Sequence, residues 1–108
     1  MKYRVHWSGR AKAELDSIIS YLMQFDPAAA ARITAKLMAC ADSLQVFPRR
    51  GMPIGRGLRR ITTVYPYVIR YRILDEWIEI VRVYHGARRV RARPLEWIPA
   101  PLAVAPMN

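Results

Sequence analysis

Residues 64–89 read V-Y-P-Y-V-I-R-Y-R-I-L-D-E-W-I-E-I-V-R-V-Y-H-G-A-R-R, and how this stretch pairs with itself decides the fold. Two runs rich in β-branched and aromatic residues, Tyr67 to Ile73 and Ile78 to Tyr84, flank Leu74-Asp75-Glu76-Trp77. That pattern predicts an antiparallel hairpin. The turn is either two residues, Asp75-Glu76, or four, and it lacks the glycine that tight hairpin turns favour. In both cases Ile73 faces Ile78 and Arg72 faces Glu79. Strict alternation then puts Tyr67, Ile69, Tyr71, Ile73, Ile78, Ile80, Arg82 and Tyr84 on one face, the more apolar one, expected to meet the core. Val68, Arg70, Arg72, Leu74, Trp77, Glu79, Val81, Val83 and His85 fall on the other. A slip of one residue between the strands would exchange the faces.

At the N-terminal end, Lys2 to Trp7 alternates Tyr3, Val5 and Trp7 with Lys2, Arg4 and His6, a short strand with one buried face. Ser8 or Gly9 can cap a helix starting there. From Arg10 to Phe25, apolar residues recur at Ala11, Leu15, Ile18, Ile19, Leu22 and Phe25, the spacing of an amphipathic helix. Asp26 is a suitable N-cap and Pro27 suits a first helical position. A second helix is therefore expected to about Val46, carrying Ala30, Ile33, Leu37, Cys40, Ala41 and Leu44 on one face and ending at Phe47-Pro48. Arg49 to Gly57 reads as a Gly/Pro loop with no phosphate-cradle motif, and Leu58 to Val64 as another strand. The expected architecture is α+β: a helical hairpin packed on a small, curved, mostly antiparallel sheet, in the order β-α-α-β-β-β. Residues 1–93 form one domain. Residues 94–108, with four of the eight prolines, form a tail whose Trp97 and Ile98 are expected to dock on protein surface.

Charge is unevenly placed. The chain of 108 residues carries a formal +10, and residues 49–93 hold twelve arginines against three acids. A field made of guanidinium groups suits a polyanion or an acidic protein, because the guanidinium fork matches phosphate and carboxylate geometry. Cys40 is the single cysteine, so no disulfide within the chain is possible, and it is read as a small buried hydrophobe. No run approaches a membrane span and M-K-Y-R-V-H-W lacks the apolar core of a signal peptide, which makes the cytoplasm the expected location, with no membrane partner.

Several chemistries are excluded. No serine lies in a G-x-S-x-G setting, the two histidines and one cysteine lack metal-ligand spacing, and Glu79 is the lone acid in an expected strand. Neither metal nor cofactor is expected. Metal-independent RNA cleavage by an in-line 2′-hydroxyl remains available. It needs cations for the phosphorane and groups to move two protons, for which Arg70, Arg72, Arg82 or Arg88 and His85, Tyr84 or Glu79 are the candidates.

These pieces in this order resemble the ParE/RelE superfamily of toxins from type II toxin–antitoxin modules. The strings are W-S-G-R-A-K-A-E-L-D-S-I-I-S-Y-L at 7–22, D-P-A-A-A at 26–30, S-L-Q-V-F-P-R-R-G at 43–51, Y-P-Y-V-I-R-Y-R-I at 65–73 and I-E-I-V-R-V-Y-H-G-A-R-R at 78–89. Arg82, Val83, His85, Gly86, Ala87 and Arg88 match an R-V-x-H-G-A-R string typical of the ParE side. Arg89 stands where many relatives have an acid, and no lysine follows Lys36 where the ribonuclease branch favours lysines. The resemblance implies function on a concave basic side. It also implies a cognate antitoxin whose C-terminal segment wraps the toxin in a hetero-oligomer, and DNA gyrase as target. The alternatives are RelE-like cutting of mRNA at the ribosome, with His85 and Tyr84 catalytic, and a non-toxic adaptor that only binds antitoxin. The residues expected to hold the anionic target are Arg49, Arg59, Arg60, Arg70, Arg72, Arg82 and Arg88.

Overall fold

A computed structural model describes residues 2–86. Seven elements succeed one another: β1 (Arg4–Trp7), α1 (Gly9–Phe25), α2 (Pro27–Ser43), β2 (Met52–Gly55), β3 (Leu58–Ile61), β4 (Tyr67–Leu74) and β5 (Trp77–His85). The strands form one sheet in the order β1-β5-β4-β3-β2, parallel between β1 and β5 and antiparallel elsewhere. The α+β class and the helical hairpin on a mostly antiparallel sheet are as the sequence predicts. Arg88 and the 94–108 tail lie outside the described residues.

The two helices begin where their caps dictate. Ser8 Oγ accepts the Ala11 N–H at 3.0 Å, and Asp26 Oδ1 accepts the Ala29 N–H at 3.1 Å with Pro27 in the first turn. The second helix stops at Ser43, three residues short of the expected Val46, because Leu44, Gln45 and Val46 turn back to Ala41, Asp42 and Ser43 carbonyls. The expected Arg49–Gly57 loop contains a strand. Met52 and Pro53 pair with Arg60 and Arg59, and Pro53 is tolerated because β2 is an edge.

The hairpin turns over two residues, Asp75 and Glu76, with Leu74 opposite Trp77, Ile73 opposite Ile78 and Arg72 opposite Glu79. Asp75 supplies the left-handed backbone (φ 49°) in the absence of glycine. The alternation then breaks. Tyr71 pairs with Ile80 but Arg70 pairs with Arg82, so Val81 is an extra residue in β5. Beyond this bulge every side chain of β5 is on the opposite face from that expected. Val83, not Arg82, enters the core opposite Ile69, and it is fully buried; Arg82 and Tyr84 lie opposite Arg70 and Val68. His85 lies opposite Tyr67, on the helix side.

The core is thus Ile69, Tyr71, Ile78, Ile80 and Val83 from the hairpin against Ala11, Leu37, Cys40, Ala41 and Leu44 from the helical layer. β1 is too short to cover the second half of β5, and α1 takes over that edge. Ser8 N–H donates to Ile80 C=O at 3.0 Å and Ser8 Oγ donates to Val81 C=O at 3.2 Å. Glu14 Oε1 accepts the Val83 N–H at 2.9 Å. Deleting Val81 would leave Arg82 opposite Arg70 and Val83 opposite Ile69 in a regular ladder, so it is the burial of Val83 opposite Ile69 that tests the register. We expect Val83→Asp, which puts an unpaired charge at this fully buried site, to abolish the cooperative thermal transition monitored by circular dichroism, whereas Val81→Ala, which keeps the bulge, retains it.

Candidate functional site: an arginine-bearing open sheet face

Paired residues on neighbouring strands share a face, so the register assembles the side of the sheet away from the helices. One row runs Arg4, Trp77, Leu74; the next His6, Glu79, Arg72, Leu58; the third Arg82, Arg70, Arg60, Met52; the last Tyr84 and Val68. Five of the described arginines stand on this face beside one acid, Glu79.

Their charges are not equally available. Arg72 Nε donates to Glu79 Oε1 at 2.8 Å, an exposed pair. Arg82 is committed more firmly: its Nε and a terminal nitrogen reach Glu14 Oε2 at 2.7 and 2.6 Å, with both side chains about four-fifths buried (17% and 21% exposed). Arg10 reaches the same carboxylate oxygen at 3.6 Å. Arg70 and Arg60 have no acidic partner among the described residues. The Arg70 guanidinium lies 5.5 Å from the centre of the Tyr84 ring, Arg82 lies 5.1 Å from it, and Arg70 Nε is buried with no hydrogen-bond partner among the described residues. Arg60 is held beside β2 by a 3.5 Å contact to Met52 Sδ. At the other end of the face, Trp77 takes Arg4 over its ring at 5.5 Å and the edge of His6 at 6.3 Å.

Two expected anion binders lie elsewhere. Arg59 pairs with Tyr71, on the helix side, and its Nη1 donates to Gly51 C=O at 2.7 Å and Arg49 C=O at 3.2 Å. Arg49 is exposed in the α2–β2 loop. That loop is also pinned from within. The buried Tyr71 hydroxyl donates to Pro48 C=O at 2.7 Å and accepts the Gly51 N–H at 2.9 Å. Gly51 is obligatory there, since a Cβ would sit 2.6 Å from that hydroxyl. Arg50 completes the clamp through Ser43 Oγ (2.6 Å) and Thr63 Oγ1 (3.4 Å).

Tyr84 and His85 do not converge. Tyr84 stacks with arginines on the open face, whereas the His85 ring meets Tyr67 edge-on at 5.5 Å. Both border a cleft of about 670 Å³ between α1 and the end of β5, with Arg10, Glu14, Tyr21 and Tyr67 among its other walls. Glu14 is the residue that sequence reasoning missed. Its position four residues after Arg10 on the polar side of α1 marks it as a solvent-facing helix acid, and nothing local shows that it reaches β5. Among the described residues there is no group of three or more histidines, cysteines or acids able to hold a metal, and no helix is long and apolar enough to cross a membrane.

Burial raises the Tyr71 phenol above its usual pKa, against the opposing pull of the Gly51 N–H and of Arg59 and Arg50. Burial likewise raises the Cys40 thiol, with Arg50 and Thr63 opposing. Groups raised in this way stabilise the fold fully below their unfolded pKa values, and that stability is lost as pH rises through the folded ones. The unfolding free energy should therefore fall as pH climbs past about 8.5 for the thiol and about 10 for the phenol. Urea titrations across that range check this, and Cys40→Ala should remove the earlier part. At neutral pH, Tyr71→Phe leaves Gly51 N–H and Pro48 C=O unpaired and should cost about 1–3 kcal/mol.

Comparison with known proteins accords with this geometry. The family described as "ParE toxin of type II toxin-antitoxin system, parDE" matches residues 5–90. The chain is 45% identical over 85 residues to Toxin RelE2 of Caulobacter vibrioides, covering 79% of this chain and 97% of that toxin. Its fold is similar to that of a chain from the chromosomal ParDE system of P. aeruginosa (TM-score 0.69, 21% identity, 78% of this chain and 96% of that one). It is also similar to a chain of the toxin–antitoxin complex RelBE2 from Mycobacterium tuberculosis (TM-score 0.60, 27% identity, 79% and 99%). The chain belongs to the ParE toxin family, within the ParE/RelE superfamily of type II toxin–antitoxin toxins.

Proposed function

We propose that this toxin acts by binding DNA gyrase through the open sheet face and blocking supercoiling, without chemistry of its own, until a cognate antitoxin segment covers it. The observation that supports binding over cleavage is the placement of Tyr84 and His85 on opposite faces of β5. Successive side chains of a strand diverge, and although both residues border the cleft beside α1, the Tyr84 ring lies against Arg70 and Arg82 while the His85 ring lies against Tyr67, which favours binding over paired proton transfer at one phosphate. Arg70 and Arg60 are the anchors in this reading, Arg72 and Arg82 set the local field while paired to Glu79 and Glu14, and Arg49 adds charge from the loop. The solved relatives are toxin–antitoxin complexes, which supports an antitoxin partner for this chain and a hetero-oligomer with it.

A second reading is favoured by a specific observation: the relative at 45% identity is named RelE. In that reading the Arg60–Arg70–Tyr84 group meets ribosome-bound mRNA. Purified protein separates the two. We expect inhibited gyrase supercoiling with RNA left intact, and inhibition weakened about tenfold or more by Arg60→Glu with Arg70→Glu, since two close charges are reversed. Uninhibited gyrase together with RNA cleavage that His85→Gln or Tyr84→Phe abolishes would establish the RelE-like reading instead.

A further inference from the structure

The family match ends at residue 90, and the chain that follows changes character. Residues 94–108 hold one acid and no basic residue, with Leu95, Trp97 and Ile98 close together. Pro94, Pro99, Pro101 and Pro106 disfavour a regular element there, so the large side chains need cover from another part of the protein.

The direction in which the chain leaves the sheet is set by what precedes it. β5 and α1 run past each other in the same sense: Ser8, at the start of α1, meets Ile80 and Val81, and Glu14 meets Arg82 and Val83. His85 is thereby carried toward the C-terminal half of α1, and it walls the cleft together with Ser17, Ile18 and Tyr21. Gly86 N–H then donates to Pro66 C=O at 2.8 Å. A Cβ on Gly86 would sit 3.1 Å from that oxygen and 3.2 Å from Val68 Cγ2, so the exit is pinned closely against the β3–β4 connection. The chain leaves β5 at the mouth of the cleft.

Further along α1, the stripe that walls this cleft turns aromatic. Arg10, Glu14, Ile18, Tyr21 and Phe25 succeed one another at helical steps of three and four. The Tyr21 and Phe25 rings pack with centroids 5.0 Å apart, and they are 51% and 69% exposed. Two adjoining rings at the end of a helix make an exposed apolar surface. From Glu14 to Phe25 the helix rises about 16 Å. Gly86 and Trp97 are the same eleven residues apart, a span of about 16 Å if helical and about 36 Å if extended. Trp97 therefore reaches Phe25 in either case.

We propose that residues 94–98 of the chain's own C-terminal segment dock on the Tyr21–Phe25 surface, with Trp97 against the two rings and residues 87–93 as the connecting span. Tethering beside the site gives this segment a high effective concentration there. A second copy is a poor occupant, because each chain carries a formal +10. The docked segment is a strap over the open end of α1, and an apolar segment of another protein reaches Tyr21 and Phe25 only by displacing it.

NMR on the full chain tests this. NOEs should join the Trp97 indole to the Tyr21 and Phe25 rings and should persist unchanged on dilution. Phe25→Ser should abolish them while NOEs between Ile73 and Ile78 remain, which shows the fold intact. A chain ending at Arg93 should exchange the amides of Tyr21–Phe25 roughly fivefold faster or more, with Ile69 and Val83 unmoved. NOEs from Trp97 to Val46 and Phe47 or to the open sheet face would overturn the proposal. So would contacts that fade on dilution, which would join separate copies, or a Trp97 as accessible to a soluble quencher as tryptophan in a short peptide. Neither gyrase nor antitoxin enters the sample, so failure here is distinguishable from failure of the gyrase reading.

Discussion

The bulge at Val81 and its capture by α1 are what the rest of the structure depends on. One unpaired residue converts a strand that would have buried an arginine into one that buries Val83 and displays Arg82 and Tyr84. The disturbed edge could not stand alone, since β1 ends before it. Ser8 and Glu14 supply the hydrogen bonds that a neighbouring strand would have made. Glu14 does this while neutralising Arg82, so the same carboxylate closes the sheet and settles a largely buried charge. Removing such a carboxylate would leave a backbone donor and a buried cation unpaired together, the costly way to break an ion pair.

Much of this was legible in the sequence. The 3.6-residue spacing in 10–25 and 27–44, the Asp26-Pro27 cap and the β-branched runs in 67–84 predict the helices, the long strands and the Ile73–Ile78 register, all of which the structure shows. What was not legible has a common cause. A bulge leaves no mark in an alternating pattern when Val81 and Val83 are chemically alike, so apolar periodicity alone could not locate it. Met52–Gly55 was hidden because Pro and Gly signal a loop, and only its place at an edge makes Pro53 admissible. Glu14 and Arg82, 68 residues apart, are joined by tertiary geometry that local spacing does not encode.

For the candidate site, composition located the arginines but not their employment. Arg59 and Arg50 serve the fold, holding the α2–β2 loop against Tyr71, while Arg72 and Arg82 answer acids. The uncompensated charge among the described residues of the open sheet lies at Arg4, over Trp77, and at the neighbouring pair Arg60 and Arg70, of which Arg70 stands beside the aromatic face of Tyr84. A polyanion or an acidic surface meeting this sheet finds the row already extended and spaced by the register, with little side-chain entropy left to lose at Arg70.

Arginine-selective chemical footprinting of the toxin, with and without DNA gyrase, tests the role of this face most directly. Modification by phenylglyoxal, read residue by residue in the mass spectrometer, should be suppressed by gyrase at Arg60 and Arg70 and left unchanged at Arg32, which is exposed on α2. Equal modification of Arg60 and Arg70 in the presence and absence of gyrase, under conditions where supercoiling is inhibited, would contradict the assignment of the open sheet as the binding face.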